Sequence, residues 1–189
     1  MKNKFSYSRK SQIFIQCLLL LFTLLCSHTF ASDKKGTTET IGDILQFGLP
    51  AIAYSSTFLN DDREGRNEFY WSFFTNVIAT QVLKNTVHKN RPDDSDNDAF
   101  PSGHTSMAFQ AAGFLHQRYG LIYGIPAYLA ATYVGWGREK INEHDTVDVL
   151  AGAAIGLASS YFLTTPYENL QVAPVIDKDK LGMTVSYRW

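Results

Sequence analysis

Apolar residues return at helical spacing through five separate stretches of this chain and alternate with polar ones only near its end. The first stretch runs through Ile44, Leu45, Leu49, Ile52 and Ala53 to Leu59, with Thr40 placed to cap it, Asp43 in its first turn and Pro50 expected to kink it. Asp61-Asp62-Arg63-Glu64-Gly65 reads as a charged turn. A second helix is expected over roughly 66–88, where Tyr70, Phe73, Phe74, Val77, Ile78 and Gln81 share a face that Lys84 continues. The third opens at Pro101-Ser102-Gly103-His104, carries Met107, Ala108, Ala111, Ala112 and Leu115 on one side, and stops near Gly120. The fourth, Leu121 to Trp136, is expected to be interrupted at Gly124 and Pro126 and broken by Gly135-Trp136-Gly137. The fifth starts at Asp145 or Thr146 and ends at Leu163, before Pro166. Leu181, Met183, Val185, Tyr187 and Trp189 then alternate with smaller or polar residues, a strand signal that Asp177–Lys180 turns back onto 170–176. The pattern predicts a mostly α fold: a compact helical bundle of about five helices with a small C-terminal β-hairpin.

The first 31 residues follow a different rule. Lys2, Lys4, Arg9 and Lys10 precede an almost unbroken apolar run, Ile13 to Cys26, and a short segment ending at Ala31. This is the layout of a secretory signal peptide, with a retained anchor as the other reading. The chain is therefore divided into a signal peptide, 1–31, and a single domain, 32–189. Both cysteines, Cys17 and Cys26, fall in the first part, so the domain has to hold without disulfides. Removing 1–31 takes four of the 17 basic residues and none of the 18 acidic ones, and the remaining acidic balance argues against a nucleic-acid partner.

Three short clusters between Lys84 and Asp148 carry the candidate chemistry. Lys84 and Arg91 lie seven residues apart, and Pro92 biases Arg91 out of the helix. Ser102 can cap the third helix, Gly103 lets an anion reach its N-terminal amides, and His104 sits at that positive end. Arg138 precedes His144, and Asp148 follows His144 by one helical turn. Read singly, each has an ordinary explanation: a solvated basic helix end, a cap beside a surface histidine, a carboxylate complementing a helix dipole. Asp94, Asp96 and Asp98 imitate the start of a calcium loop, but Ala99 and Thr105 stand where glycine and glutamate are required, so Asx turns are expected instead.

Taken in order, K-x6-R-P, P-S-G-H and G-R-x5-H-x3-D resemble the three-part signature of the type 2 phosphatidic acid phosphatase family, which includes bacterial acid phosphatases and vanadium haloperoxidases. The resemblance covers about the central third of the chain and departs from the family pattern at Gly137, where serine is usual. It implies that His144 is the nucleophile, Asp148 its orienting partner and His104 the acid that protonates the leaving oxygen. Lys84, Arg91, Ser102, Gly103 and Arg138 would bind the substrate phosphate, and neither metal nor cofactor is implied. His88 and His116 are weaker candidates, one in a spacer and one in mid-helix.

The expected activity is metal-independent hydrolysis of a phosphomonoester or pyrophosphate through a phosphohistidine. The partner is a phosphorylated lipid or a small phosphate ester. A vanadium haloperoxidase and a non-catalytic anion-binding envelope protein are the alternatives. Gly152 and Gly156 form a G-x-x-x-G pair that fits close packing either in a membrane or in a soluble bundle. Mean hydropathy is −0.14. The expected location is exported and periplasmic, peripheral to or anchored in the inner membrane, with Tyr70, Trp71 and Trp136 as surface contacts.

Overall fold

The computed structural model describes residues 34–167, 171–177 and 180–186. The expected signal peptide lies outside the described residues. Among the described residues there are five helices: α1 (Lys34–Leu59), α2 (Arg63–Thr86), α3 (Gly103–Tyr119), α4 (Leu121–Lys140) and α5 (Thr146–Leu163). The mostly α expectation of about five helices holds. Backbone strands β1 (Gln171–Asp177) and β2 (Lys180–Ser186) pair antiparallel, with Gln171 opposite Ser186 and Asp177 opposite Lys180. Their side chains lie outside the described residues, and so does the expected packing of the hairpin on the bundle.

Local chemistry sets the helix ends. α1 begins at Lys34, six residues before the expected cap, and Thr40 Oγ1 donates back to Gly36 O at 2.8 Å as an interior residue. This moves Asp43 from the first turn to the third. The helix also continues through Pro50. Asp62 caps α2, accepting from Gly65 N at 2.8 Å, and α2 closes at Thr86, two residues short of the expected end. α4 runs unbroken past Gly124, Pro126 and Gly135–Gly137. Its glycines answer to packing: a Cβ at Gly135 would come within 2.8 Å of Val149 Cγ1. Asp145 caps α5 in a reciprocal capping box with Asp148.

α3 is the central helix. Ala108, Ala111, Ala112, Phe114 and Leu115 are buried, and Leu49 and Ala53 of α1, Phe69 of α2, and Ala127, Ala131 and Val134 of α4 join them in one core. The G-x-x-x-G pair of α5 packs against another helix of the same chain. A Cβ at Gly152 would stand 2.4 Å from Ser102 O, and one at Gly156 2.3 Å from Ser106 O, so these glycines let α5 press directly onto the backbone of α3.

The strongest apolar stripe faces outward. Tyr70, Phe74, Val77 and Ile78 of α2 are exposed, while the buried side is Gly65, Phe69, Ser72, Asn76 and Thr80. Polar bonds join these seams. Asn76 Nδ2 donates to Ser106 Oγ at 3.2 Å, Thr80 Oγ1 and Ser106 Oγ share a bond of 2.9 Å, Gln110 Nε2 donates to Ser72 Oγ at 2.9 Å, and Ser160 Oγ donates to Gln110 O at 2.6 Å. On α5, Val147, Leu150, Tyr161 and Phe162 point out, and the buried side is Asp148, Gly152, Gly156, Ser159 and Ser160.

Candidate active site

The loop from α2 to α3 carries Arg91 clear of the helix, as Pro92 requires. Its backbone folds on itself through Lys89 N to Asn97 O at 3.1 Å, Arg91 N to Asp96 O at 3.0 Å and Ala99 N to Lys89 O at 3.0 Å. The aspartates form Asx turns, with Ser95 N on Asp93 Oδ1 and Asp98 N on Asp96 Oδ1. Asp96 Oδ1 also accepts from Arg91 Nε at 2.7 Å and so aims the guanidinium. Lys84, half-buried at the end of α2, donates Nζ to Asp98 O. Burial and the neighbouring Arg91 charge hold the Lys84 ammonium below the usual lysine range, against the pull of Asp98, Asp96 and Asp148.

Ser102 is buried. Its hydroxyl accepts from Thr105 N at 3.5 Å and from Thr105 Oγ1 at 2.9 Å, and its carbonyl takes Ser106 N at 3.0 Å. Its own amide is committed to Asp148 O at 3.0 Å. Ser102 therefore ties α3 to α5, and the amides of Gly103 and His104 are the donors of that turn not engaged with Ser102. A Cβ at Gly103 would sit 3.8 Å from Lys84 Cε, so the end of α2 and the start of α3 adjoin here.

The five-residue spacer between Arg138 and His144 is a closed turn. Arg138 O accepts both Glu143 N at 3.1 Å and His144 N at 3.3 Å. The α4 C-terminus thereby returns the chain so that His144 follows a turn closed on the Arg138 carbonyl. Arg138 is 2% exposed; Nη2 reaches Asp43 Oδ1 of α1 at 2.5 Å and Nη1 reaches Glu143 Oε2 at 2.8 Å. Arg91 Nη1 approaches the same Glu143 oxygen at 3.2 Å. Two guanidinium groups from separate motifs thus converge on one anionic oxygen.

His144 is 3% exposed, and burial, reinforced by the Arg91 and Lys84 charges, lowers its pKa to about 4, while Asp148 and the Ala99 backbone act the other way. The expected His144–Asp148 pairing is not a hydrogen bond in this structure: Nδ1 lies 3.8 Å from Oδ2. The fully buried Asp148 is engaged elsewhere, accepting Lys89 Nζ on Oδ1 at 2.7 Å and Asp145 N on Oδ2 at 3.1 Å. His104, at the start of α3, places Nε2 2.9 Å from Asp43 Oδ1. His88 is exposed, and His116 Nδ1 pairs with Tyr128 OH at 3.1 Å inside the helical layer.

The PAP2 superfamily model matches residues 67–171, more than half of the chain. The chain belongs to the PAP2 superfamily. It is a PAP2-type phosphatase. It is 28% identical over 195 aligned residues to a lipid A 4'-phosphatase of Helicobacter pylori strain J99, covering 94% of this chain and 97% of that protein. A lipid A 1-phosphatase of Porphyromonas gingivalis is 40% identical over 70 residues, 35% of this chain and 16% of that one. The crystal structure of Aquifex aeolicus LpxE has the same fold at a TM-score of 0.59 and 22% identity, over 76% of this chain and 92% of that one.

The PAP2 match begins after α1, yet α1 supplies Asp43 to the site, and sequence reasoning assigned that residue only to a helix dipole. Glu143 and Lys89 were also missed. Both stand inside motif spacers, and a charged residue beside His144 or between Lys84 and Arg91 was the available signal. The PAP2 departure at Gly137 has a steric counterpart: a Cβ there would meet Thr38 Cγ2 of α1 at 3.2 Å.

Proposed function

We propose that this chain hydrolyses the phosphomonoester of a membrane glycolipid of the lipid A kind, without a metal, through a phosphohistidine. The observation that carries the reading is the convergence of Arg91 and Arg138 on one carboxylate oxygen of Glu143, at 3.2 and 2.8 Å. Glu143 occupies the position suited to an anionic phosphate oxygen, held by groups that planar, bidentate recognition favours. Lys84 and the amides of Gly103 and His104 complete a cradle that neutralises charge on the equatorial oxygens in the transition state.

His144, kept neutral by its surroundings, attacks phosphorus. Asp148 orients its ring once the 3.8 Å gap closes around bound substrate. His104 gives a proton to the departing oxygen and then takes one from the water that hydrolyses the intermediate. The named activities of the Helicobacter and Porphyromonas relatives support a lipid A phosphate as substrate.

Export through residues 1–31 and association with a lipid surface belong to the same proposal. The outward aromatic and aliphatic residues of α2 and α5 support it, together with Phe47, Phe58 and Trp136. Among the described residues, α5 is the one helix long and apolar enough to cross a membrane. The C-terminal hairpin is assigned the role of covering the bundle.

The test is phosphate release by the full chain from lipid A phosphorylated at its 1- and 4'-positions, compared with phosphatidate and soluble esters, followed by rapid quenching. The expected result is release from lipid A and an acid-labile, base-stable phosphohistidine at residue 144. Label on His104 in the wild type reverses the two roles. Tight phosphate binding without release from any ester makes the site a binding site.

A further inference from the structure

Asp43 is the carboxylate nearest to both a candidate catalytic histidine and a candidate phosphate-binding arginine, and it comes from a helix outside the family match. Its Oδ1 lies 2.9 Å from His104 Nε2 and 2.5 Å from Arg138 Nη2. The approach is built into the packing of α1. A Cβ at Gly42 would come within 2.9 Å of Arg138 Nη2, so the glycine leaves the space through which the guanidinium reaches its partner.

A carboxylate accepts and does not donate when ionised, so the hydrogen on His104 must lie on Nε2. That consigns the neutral ring to one tautomer and leaves Nδ1 as the nitrogen able to gain or lose a proton. The groups facing His104 are Asp43 from α1, Arg138 from α4 and Glu143 from the turn after α4. Lys84 of α2 adjoins the preceding Gly103. Burial and the Arg138 charge push the imidazole below its ordinary pKa, and Asp43 and Glu143 oppose them. Burial acts to raise the Asp43 carboxyl, but the bonds and charges of Arg138 and His104 outweigh it and keep the group ionised.

We propose that Asp43 is a positioning residue that fixes the tautomer of His104 and charges it for proton transfer. This rests on the phosphatase reading above. In the first step the His144 nitrogen–phosphorus bond forms and the ester phosphorus–oxygen bond breaks. The electron pair stays on the leaving oxygen, which takes the proton from His104 Nδ1. In the second, water attacks phosphorus, the nitrogen–phosphorus bond breaks with its pair returning to His144, and the water proton goes to His104 Nδ1. Asp43 keeps Nε2–H throughout and never touches the substrate.

The experiment compares wild type, Asp43→Asn, Asp43→Glu, His104→Ala and the Asp43→Asn/His104→Ala double variant. It measures kcat/KM for an alkyl phosphate and for p-nitrophenyl phosphate over pH, and nitrogen NMR of the His104 ring. Asp43→Asn should lower kcat/KM for the alkyl ester by about 10- to 100-fold and spare the aryl ester, whose phenol needs little protonation. Without the carboxylate, His104 holds its proton less tightly, so the alkaline limb should move to lower pH. Asp43→Glu should recover most of the activity, and the double variant should lose no more than His104→Ala.

Equal loss on both esters, loss that persists without His104, or a raised KM at unchanged kcat would mean that Asp43 acts through Arg138 and would overturn the proposal. If wild type releases phosphate from neither ester, the phosphatase reading fails. The ring resonances then decide separately: a titration and tautomer unchanged by Asp43→Asn would sink the link between the two residues.

Discussion

Nδ1 of His144 and Oδ2 of Asp148 stand 3.8 Å apart, although both side chains are buried and separated by one helical turn. Asp148 turns its other oxygen to Lys89, which also holds Asp145 at 2.5 Å. The carboxylate is therefore shared between a lysine and the proposed nucleophile.

Lys89→Met should leave more of the Asp148 charge to His144. The His144 pKa, lowered to about 4 in the wild type, rises, and the acid limb of kcat/KM moves to higher pH because the nucleophile must be neutral. Asp148→Asn should shift that limb the other way and lower kcat about ten-thousandfold through the wrong tautomer. Acid limbs that coincide in all three proteins would refute the sharing.

The same group sets a stability window. A histidine with an ordinary pKa when unfolded and about 4 when folded binds its proton more weakly in the folded state. Its contribution is complete above the unfolded value, is lost as pH falls from about 6.5 toward 4, and changes no further below that. Melting temperature should fall across this window in the wild type and fall less steeply in His144→Gln. Identical curves would contradict the burial argument.

On the proposed reading Glu143 competes with phosphate for Arg91 and Arg138. Glu143→Gln removes the competing charge, and inhibition by inorganic phosphate should tighten about 10-fold while turnover drops through slower product release. An unchanged inhibition constant would show that Glu143 leaves the cradle before phosphate enters.

Gly137→Ser restores the residue usual in the family but places a Cβ 3.2 Å from Thr38 Cγ2. It should cost about 1 kcal/mol of stability, the scale of mild overpacking. Thr38→Ser removes that methyl and should recover the loss. If Gly137→Ser is neutral alone, α1 yields at this point.

In the proposed mechanism three protein cations take the role that a divalent ion plays in metal-dependent phosphoryl transfer. Phosphate release should therefore survive exhaustive EDTA, and vanadate should inhibit competitively. Activity lost in EDTA and restored by zinc or magnesium would overturn the proposed mechanism.

The three motifs were legible because their spacings encode local geometry. R-x5-H is the length of a turn closed on Arg138 O, and H-x3-D is one turn onto α5. Asp43 was not legible, since only the packing of α1 brings it to His104 across 61 positions of sequence. Which residues mark the buried face of each helix was not legible for a related reason. Apolar periodicity on α2 is strong at Tyr70, Phe74 and Ile78, but the faces that meet other helices are marked by small and hydrogen-bonding residues. Gly137 and Gly135 read as breakers, although their missing side chains make room for Thr38 and Val149.

The outward placement of Tyr70, Phe74, Ile78 and Phe162 decides how the molecule should respond to denaturants. Where acyl chains cover those side chains, separating the helices wets little new apolar surface. Urea acts in proportion to such surface, so its unfolding slope should be shallow for a chain of this length. The bonds from Asn76 to Ser106 and from Gln110 to Ser72 then carry much of the helix association. An amphiphile that solvates each helix separately should unfold the bundle where urea does not.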